Sequence, residues 1–208
     1  MVEAAGIYPT RVGSQQLDLP IVPLSEELAI ALLITVDHGV AFSEKAGLEI
    51  AELLSGMGVE IVVSVATMGI PLAIEVSRGL GLDDYVILQK TPKIHLADAI
   101  DEPVKSITTG ARQRLLFDRA RLHTVVGRRV ALVDDVVSTG ASVYAALQIL
   151  RRVGAEPVAI GALLTEAGEW RDTLGADAEL VHALGAIPLF RREPGGAFVE
   201  DWGGPSPG

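Results

Sequence analysis

Residues 130–142, VALVDDVVSTGAS, restrict what this chain can fold into more than any other stretch. Val130, Ala131, Leu132 and Val133 form an unbroken apolar run after Arg128 and Arg129, the pattern of a strand covered on both faces in a parallel sheet. Asp134 and Asp135 stand at its carboxyl end, and a short polar turn of Ser138, Thr139, Gly140, Ala141 and Ser142 follows. Val143, Ala146, Leu147, Leu150 and Val153 then recur at helical spacing. A buried strand therefore passes into an amphipathic helix through a loop of small, hydroxyl-bearing residues.

Such a turn suits an anion. The first N–H groups of a helix lack intrahelical partners, the macrodipole makes that end positive, and small residues let a phosphate approach the backbone. Ser138, Thr139 and Ser142 add side-chain donors. Asp134 and Asp135 cannot themselves bind phosphate, because two unit charges about 4 Å apart repel by roughly 1 to 4 kcal/mol between water and a partly buried site. They call for hydroxyl donors, such as a ribose diol, or for a shared magnesium ion. An acidic pair followed by Ser-Thr could equally end a core strand and cap a helix. The complete order of apolar run, DD, two apolar residues, STG and small-Ser is far more specific.

A chain of 208 residues with 49% hydrophobic residues can bury one substantial core and is not generally disordered. No apolar run reaches the roughly 20 residues that span a bilayer, and the amino terminus lacks the basic-then-apolar order of a signal peptide. The expectation is a soluble cytoplasmic protein without a membrane partner. The lack of cysteine removes disulfides, thiolate metal sites and thiol nucleophiles. A formal net charge of −10 counts against nucleic acid as a partner and requires any phosphate site to be local.

Residues 1–24 read as extended segments outside the main sheet, and residues 26–35 as a strand or a short helix. From Ser43, the apolar face of Ala46, Ile50, Leu53, Leu54 and Met57 predicts a helix. Residues 60–66 read as a buried strand leading through Thr67, Met68 and Gly69 into a helix with Pro71 in its first turn, where proline is tolerated. Residues 84–89 are the next strand, and residues 130–133 and 157–164 complete a set of four. Three connections are long enough to cross over, so the chain reads as an α/β fold with a doubly wound, mostly parallel sheet. Ligands bind such sheets outside the carboxyl ends of the strands, where Gly69, Lys90, Lys93 and Asp134 would gather. Between Ala97 and Arg128 lies a long insertion, read as a strand near Val104, a mobile loop of Thr108, Thr109, Gly110, Ala111, Arg112, Gln113 and Arg114, and a return strand at Leu115, Leu116 and Phe117.

The stretch 130–142 resembles the ribose-phosphate signature of the type I phosphoribosyltransferases. Residues 69–82, QKTPK (89–93) and 104–118 look like the adenine phosphoribosyltransferase branch, and the likeness runs from about residue 59 to 165. The resemblance implies phosphoribosyl pyrophosphate and a purine base, most of all adenine, as substrates, Mg2+ as cofactor, and a homodimer. It implies that Asp134 and Asp135 hold the ribose hydroxyls, directly or through magnesium. Val137, Ser138, Thr139, Gly140, Ala141 and Ser142 would wrap the 5′-phosphate; Thr67, Met68 and Gly69, with Lys90 and Lys93, would face the pyrophosphate. The loop carrying Thr108, Thr109, Gly110, Arg112 and Arg114 would close over it and exclude water. One domain is expected over residues 1–194, with a core of about 36–170, a small hood from 1–35 and 178–194, and a tail, 195–208, either disordered or pinned to a neighbouring subunit.

The chain departs from that branch where it carries Ala66, Met68 and Gln89 in place of charged residues. A lost charge-assisted hydrogen bond is worth about 1.5 to 3 kcal/mol, or roughly one to two decades in affinity. Pyrophosphate binding is therefore expected to be weaker than in the branch, unless Arg112 or Arg114 compensates. No residue stands out as general acid or base, and Ile187, Pro188 and Phe190 read as material for a hydrophobic base slot. Two functions follow: a purine phosphoribosyltransferase, or a sensor that binds phosphoribosyl pyrophosphate or a nucleotide without turnover.

Overall fold

At the centre of the molecule lies a parallel sheet whose strands are apolar on both faces. The structure is a computed structural model and describes residues 4–92, 98–104 and 113–203. Its strands are β4 (Ile61–Val65), β5 (Tyr85–Leu88), β8 (Arg129–Val137), β9 (Glu156–Glu166) and β10 (Val181–Ala183), in the order β10-β9-β8-β4-β5, with the short β11 (Ala186–Ile187) also paired to β9. All five residues of β4 are buried. Ile61, Val63 and Val65 enter one core with the residues of α3 (Ala141–Arg152), whereas Val62 enters a second core with α1 (Gly39–Leu54) and α2 (Gly69–Gly79). Alternation along the strand thus feeds both faces, and each fully buried Ile or Leu contributes about 1.5–3 kcal/mol. The sheet is doubly wound, as expected.

Strand order fixes the place of the site. From β4 the chain passes through α2 to β5 on one side, and β8 then pairs with the opposite side of β4. Winding reverses between β4 and β8, the point at which doubly wound sheets open a crevice.

Several boundaries differ from the sequence reading. The apolar run 130–133 suggested that the acids lie beyond the strand, yet β8 continues to Val137, because β9 is long enough to supply the rungs Asp134↔Ala162, Val136↔Leu164 and Val137↔Thr165. On its other edge, β8 loses β4 after the rung Ser64↔Val133. Helix α1 starts at Gly39 rather than near Ser43; its first turn carries the exposed Val40, and the buried stripe begins only at Phe42. Strands β6 (Ile100–Val104) and β7 (Gln113–Phe117) form an antiparallel ribbon packed on α3.

A second sheet, in the order β1-β2-β3-β12-β13, forms the hood from β1 (Gly6–Val12), β2 (Gln15–Pro23), β3 (Leu28–Ala31), β12 (Leu189–Arg192) and β13 (Phe198–Asp201). The ambiguous run 26–35 is thus a strand over Leu28–Ala31, fixed by pairing with β2 and β12. The segment after Gly195 was expected to be disordered or held by a neighbour. Instead Phe198–Asp201 pairs with β12 of the same chain, where the Arg192 guanidinium lies 4.6 Å from the Phe198 ring centre and Arg191 forms an ion pair with Asp201. No helix among the described residues is long and apolar enough to cross a membrane.

Candidate active site

The reversal between β4 and β8 opens into a cleft of about 140 Å³, lined by Lys90, Asp134, Asp135 and the turn through Val143. Asp134 and Asp135 ride on the part of β8 that runs past its last rung with β4, so that edge of the strand faces the cleft. Burial raises the Asp134 carboxyl well above the usual carboxylate range, and the neighbouring Asp135 charge and hydrogen bonding raise it further. The Asp135 N–H, which donates to Asp134 Oδ1 at 3.1 Å, and Lys90 pull in the opposite direction. The pair is thus an acidic site short of positive charge.

Small residues bring the neighbouring turns close. Gly69 is buried at the start of α2, and a Cβ there would fall 2.1 Å from Ser64 Oγ and 3.6 Å from Asp134 Oδ1. The Ser64 hydroxyl is itself committed, donating to the Val133 carbonyl at 2.7 Å. Thr67 is exposed and Met68 half-buried; the Ala66 N–H donates to the Leu88 carbonyl at 2.9 Å, tying this turn to the end of β5. Lys90 follows β5 and is exposed at the cleft.

In the turn after β8, Gly140 has φ of 77°, a left-handed conformation, and a Cβ there would lie 3.2 Å from the Trp170 backbone. Glycine is required on both counts. The turn therefore rests directly on α4 (Glu169–Leu174). No side chain caps α3 at Gly140; Thr139 Oγ1 accepts a long bond of 3.4 Å from the Ala141 N–H. The start of the helix faces the cleft with its positive end.

The structure thus brings together Asp134, Asp135, Val137, Ser138, Thr139, Gly140, Ala141, Ser142, Gly69 and Lys90. Lys93, Thr108, Thr109, Gly110 and Arg112 lie outside the described residues. Arg114, expected in the mobile loop, is a residue of β7 and forms an ion pair with Asp101 of β6. Ile187 and Phe190, expected to line a base slot, are 0% and 3% exposed; Phe190 packs edge-on against Tyr8 at 5.4 Å. Ile187 is covered where β11 pairs with β9 of the central sheet, and Phe190 on the core-facing side of β12 in the hood.

One residue at the site escaped the sequence reading. Glu166 ends β9, beside the rung Val137↔Thr165, is 6% exposed and accepts a hydrogen bond from the Ser138 hydroxyl. A carboxylate closing the buried run of the adjacent parallel strand was the available signal.

Among the described residues, no group of three or more His, Cys, Asp or Glu could hold a metal ion by itself. Two carboxylates without a third ligand suit an ion that arrives with a ligand's oxygens and its own waters.

Comparison with known proteins agrees with this layout. The profile of the phosphoribosyl transferase domain matches residues 45–181. A xanthine phosphoribosyltransferase of Laribacter hongkongensis is 27% identical over 146 residues, covering 69% of this chain and 76% of its own. An adenine phosphoribosyltransferase of Streptomyces avermitilis is 45% identical over 65 residues, covering 31% of this chain and 33% of its own. Among solved structures, that of the Giardia lamblia enzyme complexed with 9-deazaadenine superposes with a TM-score of 0.60 at 17% identity, covering 86% of this chain and 93% of the other.

Proposed function

Because the chain belongs to the phosphoribosyl transferase domain family, we propose that it transfers the 5-phosphoribosyl group of phosphoribosyl pyrophosphate to a purine base, adenine foremost. The base nitrogen forms a bond to the anomeric carbon while the bond to pyrophosphate breaks, the leaving group taking the electron pair. The observation that carries this reading is the pairing of Asp134 and Asp135 with an anion-binding helix start in one cleft at the sheet's reversal point. The 5′-phosphate sits on the amides and hydroxyls of residues 137–142, and the acids accept the ribose hydroxyls.

In that pose the carboxylates lie near the anomeric carbon, where positive charge grows as pyrophosphate leaves, and a fixed negative charge there lowers the barrier. The rigid sheet ends fix the sugar relative to an incoming base. Mg2+ fits the two-carboxylate arrangement through ligand oxygens and water, and when bound it would neutralise the departing pyrophosphate. Gly69, the backbone of Thr67 and Met68, and Lys90 face that group. Adenine is favoured by the likeness of residues 69–82 to the adenine branch and by the neighbour complexed with 9-deazaadenine. Family likeness also points to a homodimer, and the lack of a long apolar run to a cytoplasmic one.

A second reading, a sensor that binds the sugar phosphate without turnover, is motivated by Ala66 and Met68 in the pyrophosphate turn. Incubation with phosphoribosyl pyrophosphate, magnesium and each nucleobase separates the two. Pyrophosphate and a monophosphate are expected with adenine; thermal stabilisation by the ligand with no product from any base would favour the sensor. Asp135→Asn combined with Ser142→Ala should abolish that stabilisation and leave the unliganded melting temperature little changed. Collapse of the unliganded protein would instead make both residues structural.

A further inference from the structure

Behind the phosphate turn stands Glu166, which forms no ion pair among the described residues. Its carboxylate has one hydrogen-bond partner among the described residues, Ser138 Oγ. The charged groups described on the neighbouring elements are Asp134 and Asp135 upstream on β8, Lys90 after β5, and Glu169, Arg171 and Asp172 on α4; none of them is bonded to it. Arg171 lies over the Trp170 ring instead, 4.2 Å from its centre. The carboxyl is also held in place. Glu166 is in register with Ile187 of β11, and the next residue, Ala167, adopts a left-handed φ of 46° with its N–H on the Ile187 carbonyl at 2.8 Å. The Ala167 carbonyl in turn accepts from Trp170 Nε1 at 3.2 Å. A non-glycine residue in this region costs about 1–2 kcal/mol, so the surrounding contacts over-determine the turn that aims Glu166 at Ser138.

That geometry poses a conflict. A serine hydroxyl has a single proton. Ser138 gives it to Glu166, leaving only oxygen lone pairs toward a phosphate in the turn. A neutral carboxyl reverses the bond, since its own O–H can donate to Ser138 Oγ. We propose, resting on the reading of this turn as a 5′-phosphate site, that Glu166 is a positioning residue which takes up a proton when a sugar phosphate binds, donates it to Ser138 Oγ, and so turns the Ser138 proton toward the phosphate. Burial already raises the Glu166 carboxyl, against the opposing pull of the Ser138 hydroxyl, and a dianion nearby strengthens the trend.

The test uses the full chain and ribose 5-phosphate as probe, by calorimetry in two buffers of different ionisation heat between about pH 7 and pH 9, where the probe is already almost wholly dianionic. Wild type is expected to take up as much as one proton per site, and its affinity to fall by as much as about tenfold per pH unit. Glu166→Gln, whose amide donates to Ser138 permanently, should bind at least as tightly, with no proton uptake and a flat profile. Binding by wild type with no proton uptake, together with weaker binding by Glu166→Gln at every pH, would overturn the proposal and leave the ionised carboxylate as a brace for the loop. The wild-type proton count needs no variant to fold. If wild type binds no ribose 5-phosphate at any pH, the phosphate site itself fails and this inference falls with it.

Discussion

Asp134 is the residue at which function and stability oppose each other most directly. Burial and the Asp135 charge raise its proton affinity in the folded chain. A group raised in this way contributes its full stability below the ordinary carboxylate value near 4, and that contribution is lost as pH rises through the raised value. Asp134→Asn removes the loss, so thermal denaturation should show a melting temperature several degrees above wild type at pH 7 and no gain near pH 4, while stabilisation by phosphoribosyl pyrophosphate disappears. An equal gain at both pH values would mean that ionisation is not the cause. The acids were legible in the sequence because DD after a buried run and before STG is a local pattern. Glu166 was not, because its neighbour Ser138 is set by the β8 and β9 register rather than by any spacing along the chain. For Ile187 and Phe190 the composition was right and the direction wrong, since apolar character does not tell a slot wall from a core side chain.

Elements meet at the site through contacts that leave no spare volume, and Gly69 against β4 is the clearest. A methyl group there would overlap the Ser64 hydroxyl at 2.1 Å, whereas the Ser64 Cβ lies at 3.4 Å, ordinary contact. Gly69→Ala should therefore destabilise by about 1–3 kcal/mol, and Ser64→Ala should recover much of that loss in the double variant, giving a coupling energy of about 0.5–3 kcal/mol in denaturant unfolding. Additive losses would show that α2 shifts instead. The existence of these elements was readable from periodicity, as β4, α2 and β5 illustrate. Their ends were less so. The apolar run of β8 stops at Val133, but a strand lasts as long as a partner continues beside it, and the length of β9 decides that. The opening of α1 was hidden for a related reason: its first turn is helical but points Val40 at solvent.

At the scale of the whole molecule, two sheets divide the work, with every described cleft residue carried by the central sheet and its turns and the chain's two terminal regions pooled in the hood. Truncation after Gly196 would delete β13, with the Arg191–Asp201 ion pair and the Arg192 contact on Phe198. The exposed ion pair is worth little, about 0–1 kcal/mol, so the main loss is strand pairing and the packing of Phe198 on the core. Lower protease resistance in the hood segments is expected, with ribose 5-phosphate affinity unchanged; a loss of affinity would show that the two sheets are coupled. The division was foreseen in outline, but the last strand was missed because only β12 gives it an edge to pair with. The unequal flanks of β8 have a further implication for entry and exit. One side of its final residues is laced to β9 and the other has no strand paired to it among the described residues, so a guest can come to rest against the open selvage without any rung of the ladder being unpicked. Exchange of a guest at such a berth asks for no breathing of the framework beneath.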